Sequence, residues 1–251
     1  ETTKLHVFEH FVMKVRQKNH SPLKMILNIL KEKVKPFEKK DSPLYIENTK
    51  ATNYIPADAY EIKKLSAEII KKERNPYGQA QLIYKYLLEN FTLNQTPETG
   101  DFDLNNVLTT KHADAYDLAI LYTALLRSTG IPAKMISGIL VDASLKTQNH
   151  WWCEFYIENF GWVPVDIALS AGLAYNAFQI INDKTSYYFG NLDSQHIIFS
   201  TDWEIIKPSM VNNKIVYRPR SYALQNIWEE ASVQTDSYSS FWNTPVVSGI
   251  Y

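Results

Sequence analysis

Apolar and polar positions alternate at the start of the chain. Leu5, Val7, Phe11, Met13 and Val15 stand against His6, His10, Lys14 and Arg16, the period of two expected of a strand with one wet face. A second apolar run, Leu23 to Leu30, fits strand or helix equally. Lys31 to Asn53 is charged and contains proline, and it reads as irregular. The period then lengthens. Ile62, Leu65 and Ile69 form one stripe on a helix from about Ala59 to Lys72. Asn75-Pro76 is a helix start, with Asn as cap and Pro in the first turn, and Ala80, Ile83, Tyr84 and Leu87 follow at helical spacing. A polar loop from Asn94 to Asn106 precedes a third helix over about Asp114 to Thr129, whose buried face is Leu118, Leu121, Tyr122 and Leu125. Gly130 and Pro132 end it.

Beyond Pro132 the period returns to two. Strands are expected over Ala133 to Asp142, Trp151 to Glu158 and Trp162 to Asp166, with Asn159 to Gly161 turning the last two into a hairpin. Further strands are expected near His196 to Ser200 and Lys214 to Arg218. Helices first and antiparallel strands after give an α+β fold, a helical layer against an antiparallel sheet. The domain reading is a β-containing segment over 1–58, a core over 59–206, and an extension over 207–251 that packs on the core. No internal repeat or low-complexity tract interrupts it.

Composition narrows the function classes. The 251 residues carry 26 basic and 27 acidic side chains, so no excess positive field draws the chain to nucleic acid or an anionic membrane. No apolar run approaches the ~20 residues of a membrane span. The single cysteine, Cys153, excludes an intrachain disulfide. His6, His10, His20, His112 and His196 show no metal-ligand spacing, and neither a metal nor an organic cofactor is expected. The chain begins at Glu1 without Met, which reads as a processed or trimmed protein with an extracytoplasmic location.

Three places combine into one chemical pattern: the start of the third helix, His150 on one strand, and Asp166 at the end of the next. A nucleophile at a helix N-terminus has its pKa lowered by the helix dipole. A histidine opposite can act as base and an aspartate on the neighbouring strand can orient it. Tyr116 to Ala133, ending Arg127-Ser128-Thr129-Gly130-Ile131-Pro132-Ala133, resembles the core helix of the bacterial transglutaminase-like superfamily and its Arg-x-x-Gly-Ile-Pro-Ala exit. His150-Trp151-Trp152-Cys153-Glu154 resembles that family's His-x-Trp-x-Glu strand, and Gly161-Trp162-Val163-Pro164-Val165-Asp166 its Gly-Trp-x-x-x-Asp hairpin. Asn75 to Phe91 is similar to the preceding helix, and Phe189 to Asp193 to a segment that follows the core. The resemblance runs from about Ala59 to Ser200. It implies a papain-like cysteine protease fold, His150 as general base and Asp166 as its orienting carboxylate.

It also implies a catalytic cysteine where this chain has Ala115, the family's Gly-x-Cys reading Ala113-Asp114-Ala115. A methyl group cannot attack a carbonyl. Cys153 lies three residues from His150 on a strand, so the two side chains are expected on opposite faces, with Cys153 in the core. Asp114 and Asp117 read as helix caps. One of Trp151 and Trp152 is expected to be exposed. Ala113, Ile167 in place of the usual Pro, and Lys134 in place of the usual Arg accompany Ala115, which favours natural loss of the nucleophile over a laboratory Cys→Ala replacement. The leading expectation is a non-catalytic module that binds a peptide, protein or glycan in a cleft near Ala115 and His150, or serves structurally. The alternative is a cysteine protease, amidase or transglutaminase acting through a thioester, with its nucleophile replaced.

Overall fold

A computed structural model describes residues 34–97, 101–201, 209–211, 214–216 and 245–247. The strand expected over Leu5 to Val15 and the run Leu23 to Leu30 lie outside these residues. The helices are α1 (Pro43–Thr49), α2 (Tyr60–Ile70), α3 (Pro76–Asn90), α4 (Leu104–Thr110), α5 (Ala115–Ser128), α6 (Ile167–Ser170) and α7 (Lys184–Tyr187). The strands are β1 (Thr92–Leu93), β2 (His112–Ala113), β3 (Ala133–Val141), β4 (Thr147–Ile157), β5 (Gly161–Val165), β6 (His196–Thr201), β7 (Ser209–Val211) and β8 (Lys214–Val216).

The helices start where local chemistry favours them. Asn75 Oδ1 accepts from the amides of Tyr77 and Gly78 at the head of α3, and Pro76 supplies the fixed φ of a first helical residue. Asp114 and Asp117 form a reciprocal capping box at the head of α5. Gly130, at φ +81°, ends α5. Its amide bonds Arg127 O and the amide of Ile131 bonds Leu126 O, the paired pattern of a Schellman motif. Two short helices depart from the sequence reading. Lys31 to Asn53, read as irregular, contains α1, which Ser42 caps and Pro43 opens. The polar loop read over Asn94 to Asn106 runs into α4, capped by Asp103. Each has only seven residues, too few for a stripe to show.

The main sheet is antiparallel with strand order β5-β4-β3-β6. β4 carries its two sides to different environments. Trp151, Cys153 and Phe155 join the core formed with Ile62 of α2, Ile83 and Leu87 of α3, and nearly the whole of α5. Trp152 lies on the other side with His150 and His196. Both tryptophans are therefore buried, each 1 % exposed, and the expectation that one would be exposed fails because both faces of β4 are covered. Buried Arg127 locks the end of α5 to the sheet and to the α1 segment, its Nε donating to Ala133 O at 2.8 Å and its Nη1 to Lys50 O at 3.0 Å.

Candidate active site

Three elements carry the residues singled out in the sequence. The short parallel pair β1–β2 aligns Leu93 with Ala113 and delivers the chain to the head of α5. Ala115 is the first residue of that helix and is 4 % exposed. His150 lies near the start of β4. The β4–β5 register pairs Cys153 with Val165, so Asp166, one residue further, falls beside Trp152 and on the face of His150. His150 Nε2 and Asp166 Oδ2 are 2.6 Å apart, both side chains fully buried. Asp166 is fixed from the other side as the N-cap of α6, where its Oδ1 accepts from Leu169 N at 2.9 Å.

A third group, unanticipated from spacing, completes the cluster. His196, at the start of β6, places Nε2 3.0 Å from Asp166 Oδ2 and Nδ1 2.8 Å from Asp193 Oδ1. The route to it is visible in the backbone. Tyr188 to Gly190 line the outer side of β5, through Asp166 N to Tyr188 O, a Val165–Phe189 bridge and Gly190 N to Pro164 O. The chain then crosses toward β6. Asp193 is held by the Tyr188 hydroxyl and the Gln195 amide. Gly138 on β3 permits the approach: a Cβ there would stand 1.9 Å from Ile197 O and 3.1 Å from the ring of Trp152. Trp152 stacks on His150 at 5.9 Å and meets His196 edge-on at 5.0 Å.

The electrostatics follow from burial against pairing. Burial opposes the charged form of Asp166, but its interactions with His150 and His196 outweigh it and hold the carboxyl well below the usual range. Burial likewise opposes the cationic form of His196. Its hydrogen bonds to Asp166 and Asp193, and their charges, win and raise it to about 9. The ligating atoms of His150, Asp166 and His196 lie within 4.8 Å of one another, yet the contacts are those of a closed hydrogen-bonded cluster, with Asp166 Oδ2 shared by the two rings.

Cys153 turns away from this cluster. Its Sγ donates to Ala119 O at 3.1 Å and accepts from the Thr123 hydroxyl at 3.4 Å. Burial pushes the thiol up to about 12, so it is a core residue and not a nucleophile at neutral pH. The space beside Ala115, where a ligand cleft is expected, is lined by Trp151, Trp152, Cys153, Val165 and Ile167 and has no room for a water. A more open recess of about 210 Å³ lies at the opposite end of α5, bordered by Lys35, Tyr45, Arg74, Gly130 and Tyr156. His150 Nδ1 is buried and has no hydrogen-bond partner.

Among the described residues, no helix is long and apolar enough to cross a membrane. An uncharacterized protein of Haemophilus influenzae is 29% identical over 218 residues, covering 75% of this chain. The chain spans 58% of that relative's length. Similar solved structures include a candidate cysteine protease from Cytophaga hutchinsonii, with 17% identity, TM-score 0.48, and coverage of 80% of this chain and 64% of the other. The periplasmic domain of TgpA from Pseudomonas aeruginosa gives 18% identity, TM-score 0.41, and coverage of 49% and 46%. Residues 63–167, which include Ala115, His150 and Asp166, match the family described as the transglutaminase-like superfamily, and this segment has the mixed helical and antiparallel architecture described above.

Proposed function

We propose that this domain is a non-catalytic member of its superfamily, a binding or structural module that has lost thioester chemistry. The observation that carries the proposal is the pairing of Ala115, at the first position of α5, with a sole thiol that is buried against Thr123 and Ala119 O. Thioester formation needs a nucleophile with a base in reach, and neither residue supplies one. The closed, apolar surroundings of Ala115 support the same reading. A peptide, protein or glycan partner and an extracytoplasmic location belong to the proposal. Pull-down against the partner classes and fractionation of cells carrying the tagged full-length gene test them.

One observation favours a second reading. The His150–Asp166 pair is buried and short, the arrangement an enzyme acting through a cysteine thioester would need. In that reading Ala115 replaces a cysteine, and the protein is a protease, amidase or transglutaminase. Ala115→Cys separates the two. The helix N-terminus favours thiolate, as would an imidazole within reach of the introduced thiol. Turnover of peptide or amide substrates by this variant, absent from the unsubstituted chain and abolished by iodoacetamide, selects the enzyme. Alkylation without turnover supports the module, because oxyanion donors and substrate positioning are separate requirements. Iodoacetamide-sensitive turnover by the chain carrying Ala115 would refute the leading proposal outright.

A further inference from the structure

Asp166 serves two imidazoles, and the hydrogen-bond inventory around them fixes where the protons are. Carboxylate oxygens only accept. His196 contacts one through each ring nitrogen, Asp193 Oδ1 through Nδ1 and Asp166 Oδ2 through Nε2, so both nitrogens must donate. His150 contacts Asp166 through Nε2 alone, and its Nδ1 has no partner. We propose that His196 is a buried imidazolium that acts as a positioning residue, shared between Asp166 and Asp193 and leaving His150 as the neutral tautomer with its proton on Nε2 and an acceptor at Nδ1.

The alternatives fail on the same count. A proton on His150 Nδ1 would be a buried charged donor without an acceptor, which is costly. A neutral His196 would leave one of its nitrogens facing a carboxylate oxygen, lone pair to lone pair. Protonating either carboxylate could relieve that, but both are stabilised as anions. Asp166 also accepts from Leu169 N, and Asp193 accepts from the Tyr188 hydroxyl and Gln195 N. Around the His196 ring the titratable groups are Asp166 at the end of β5, Asp193 and Tyr188 on the segment before β6, and His150 on β4. Tyr175 is close enough to the two carboxylates for their charge to help push its phenol up, behind burial. Trp152 closes the remaining side. The carboxylates outweigh the burial that disfavours the cation.

The consequence is a division of labour. The negative charge of Asp166 is opposed by His196, whose single positive charge it shares with Asp193. What reaches His150 is orientation. Its ring is held by one hydrogen bond and by stacking on Trp152, with Nδ1 buried and unpaired among the described residues. This charge assignment is independent of what stands at position 115, so it survives or fails separately from the proposal on function.

Nitrogen-15 NMR of the histidine rings in the full chain tests it, with His150→Gln and His196→Gln giving the assignments. At pH 7 His196 is expected to show two protonated ring nitrogens, and His150 one protonated and one bare nitrogen. In His196→Gln the nitrogen-15 resonance of His150 Nε2 is expected to move, because its hydrogen bond to Asp166 is no longer shared with the His196 ring. A bare nitrogen on His196 at pH 7, a doubly protonated His150 beside it, or ring protons of His196 displaced by stoichiometric Zn²⁺ would each overturn the proposal. So would a His150 nitrogen spectrum that ignores the substitution, since a merely structural His196 would leave it unmoved.

Discussion

Raising the pH through the weakly alkaline range should unfasten β6 from the site, and His196 sets the size of the effect. Its folded value of about 9 exceeds the ~6.5 of an unperturbed histidine. The native state therefore binds this proton more tightly than the unfolded chain. The stabilisation is fully present below pH ~6.5 and is lost as pH rises through about 9. A shift of 2.5 units, 9 minus 6.5, corresponds to roughly 3 kcal/mol, of which about 2 kcal/mol disappears between pH 6 and 8.5. His196 is 3 % exposed at its side chain, so solvent screening takes little from this figure. The window is chosen so that other groups stay silent. The carboxyls of Asp166 and Asp193 are lowered and remain ionised throughout. Cys153 and the buried tyrosines are raised and erode stability only above their unfolded values of ~8.5 and ~10. Urea unfolding at intervals from pH 6 to 8.5 should show a loss in the unsubstituted chain that is much smaller in His196→Gln. Histidines outside the cluster are common to both proteins and cancel in the difference, whereas His150 shares Asp166 with His196 and does not. Parallel curves would refute the reasoning, because they would mean that His196 carries the same proton count folded and unfolded.

Three further outcomes rest on packing. Cys153 should be silent toward Ellman's reagent at pH 8 in the native chain and should appear as one thiol only after unfolding in urea; labelling of native protein at the rate of a free thiol would contradict its burial. Gly138→Ala should cost about 3 kcal/mol or more in urea unfolding, because the new methyl meets backbone oxygen at 1.9 Å with Trp152 behind it; a change below ~0.5 kcal/mol would mean that β3 and β6 are not paired as described. Arg127→Ala strips charged donors from Ala133 O and Lys50 O and should cost about 3 kcal/mol. Arg127→Lys should rescue only part of it, since an ammonium cannot reproduce the guanidinium fork, and full rescue would refute the geometric reading.

How much of this was legible in the sequence depends on whether the deciding contact is local. The helices α2, α3 and α5 announced themselves because each carries its own stripe or start signal, such as Asn75-Pro76 or the Asp114–Asp117 box. The β4–β5 hairpin did so because Asn159 and Gly161 are the residues that tolerate positive φ, and both adopt it. Cys153 was assigned to the core by strand alternation alone. The helix α1 escaped because it buries no residue, so a periodicity argument had nothing to find. The exposed tryptophan was expected because alternation gives a strand two faces but cannot say how many are covered. That answer belongs to β6 and the segment before it, which are supplied from far along the chain. His196 is the sharpest case. Thirty residues separate it from Asp166, and its only local hint was an Asp193 three positions earlier, a spacing too common to carry weight. Motifs such as His-x-Trp-x-Glu identify residues that share one strand, where spacing and geometry are the same thing. A group that joins the site by a chain crossing has no such signature. The charge on Asp166 is therefore decided by a residue that the motifs do not contain, and changes at His196 should alter the His150–Asp166 pair while leaving every recognisable block of the sequence intact.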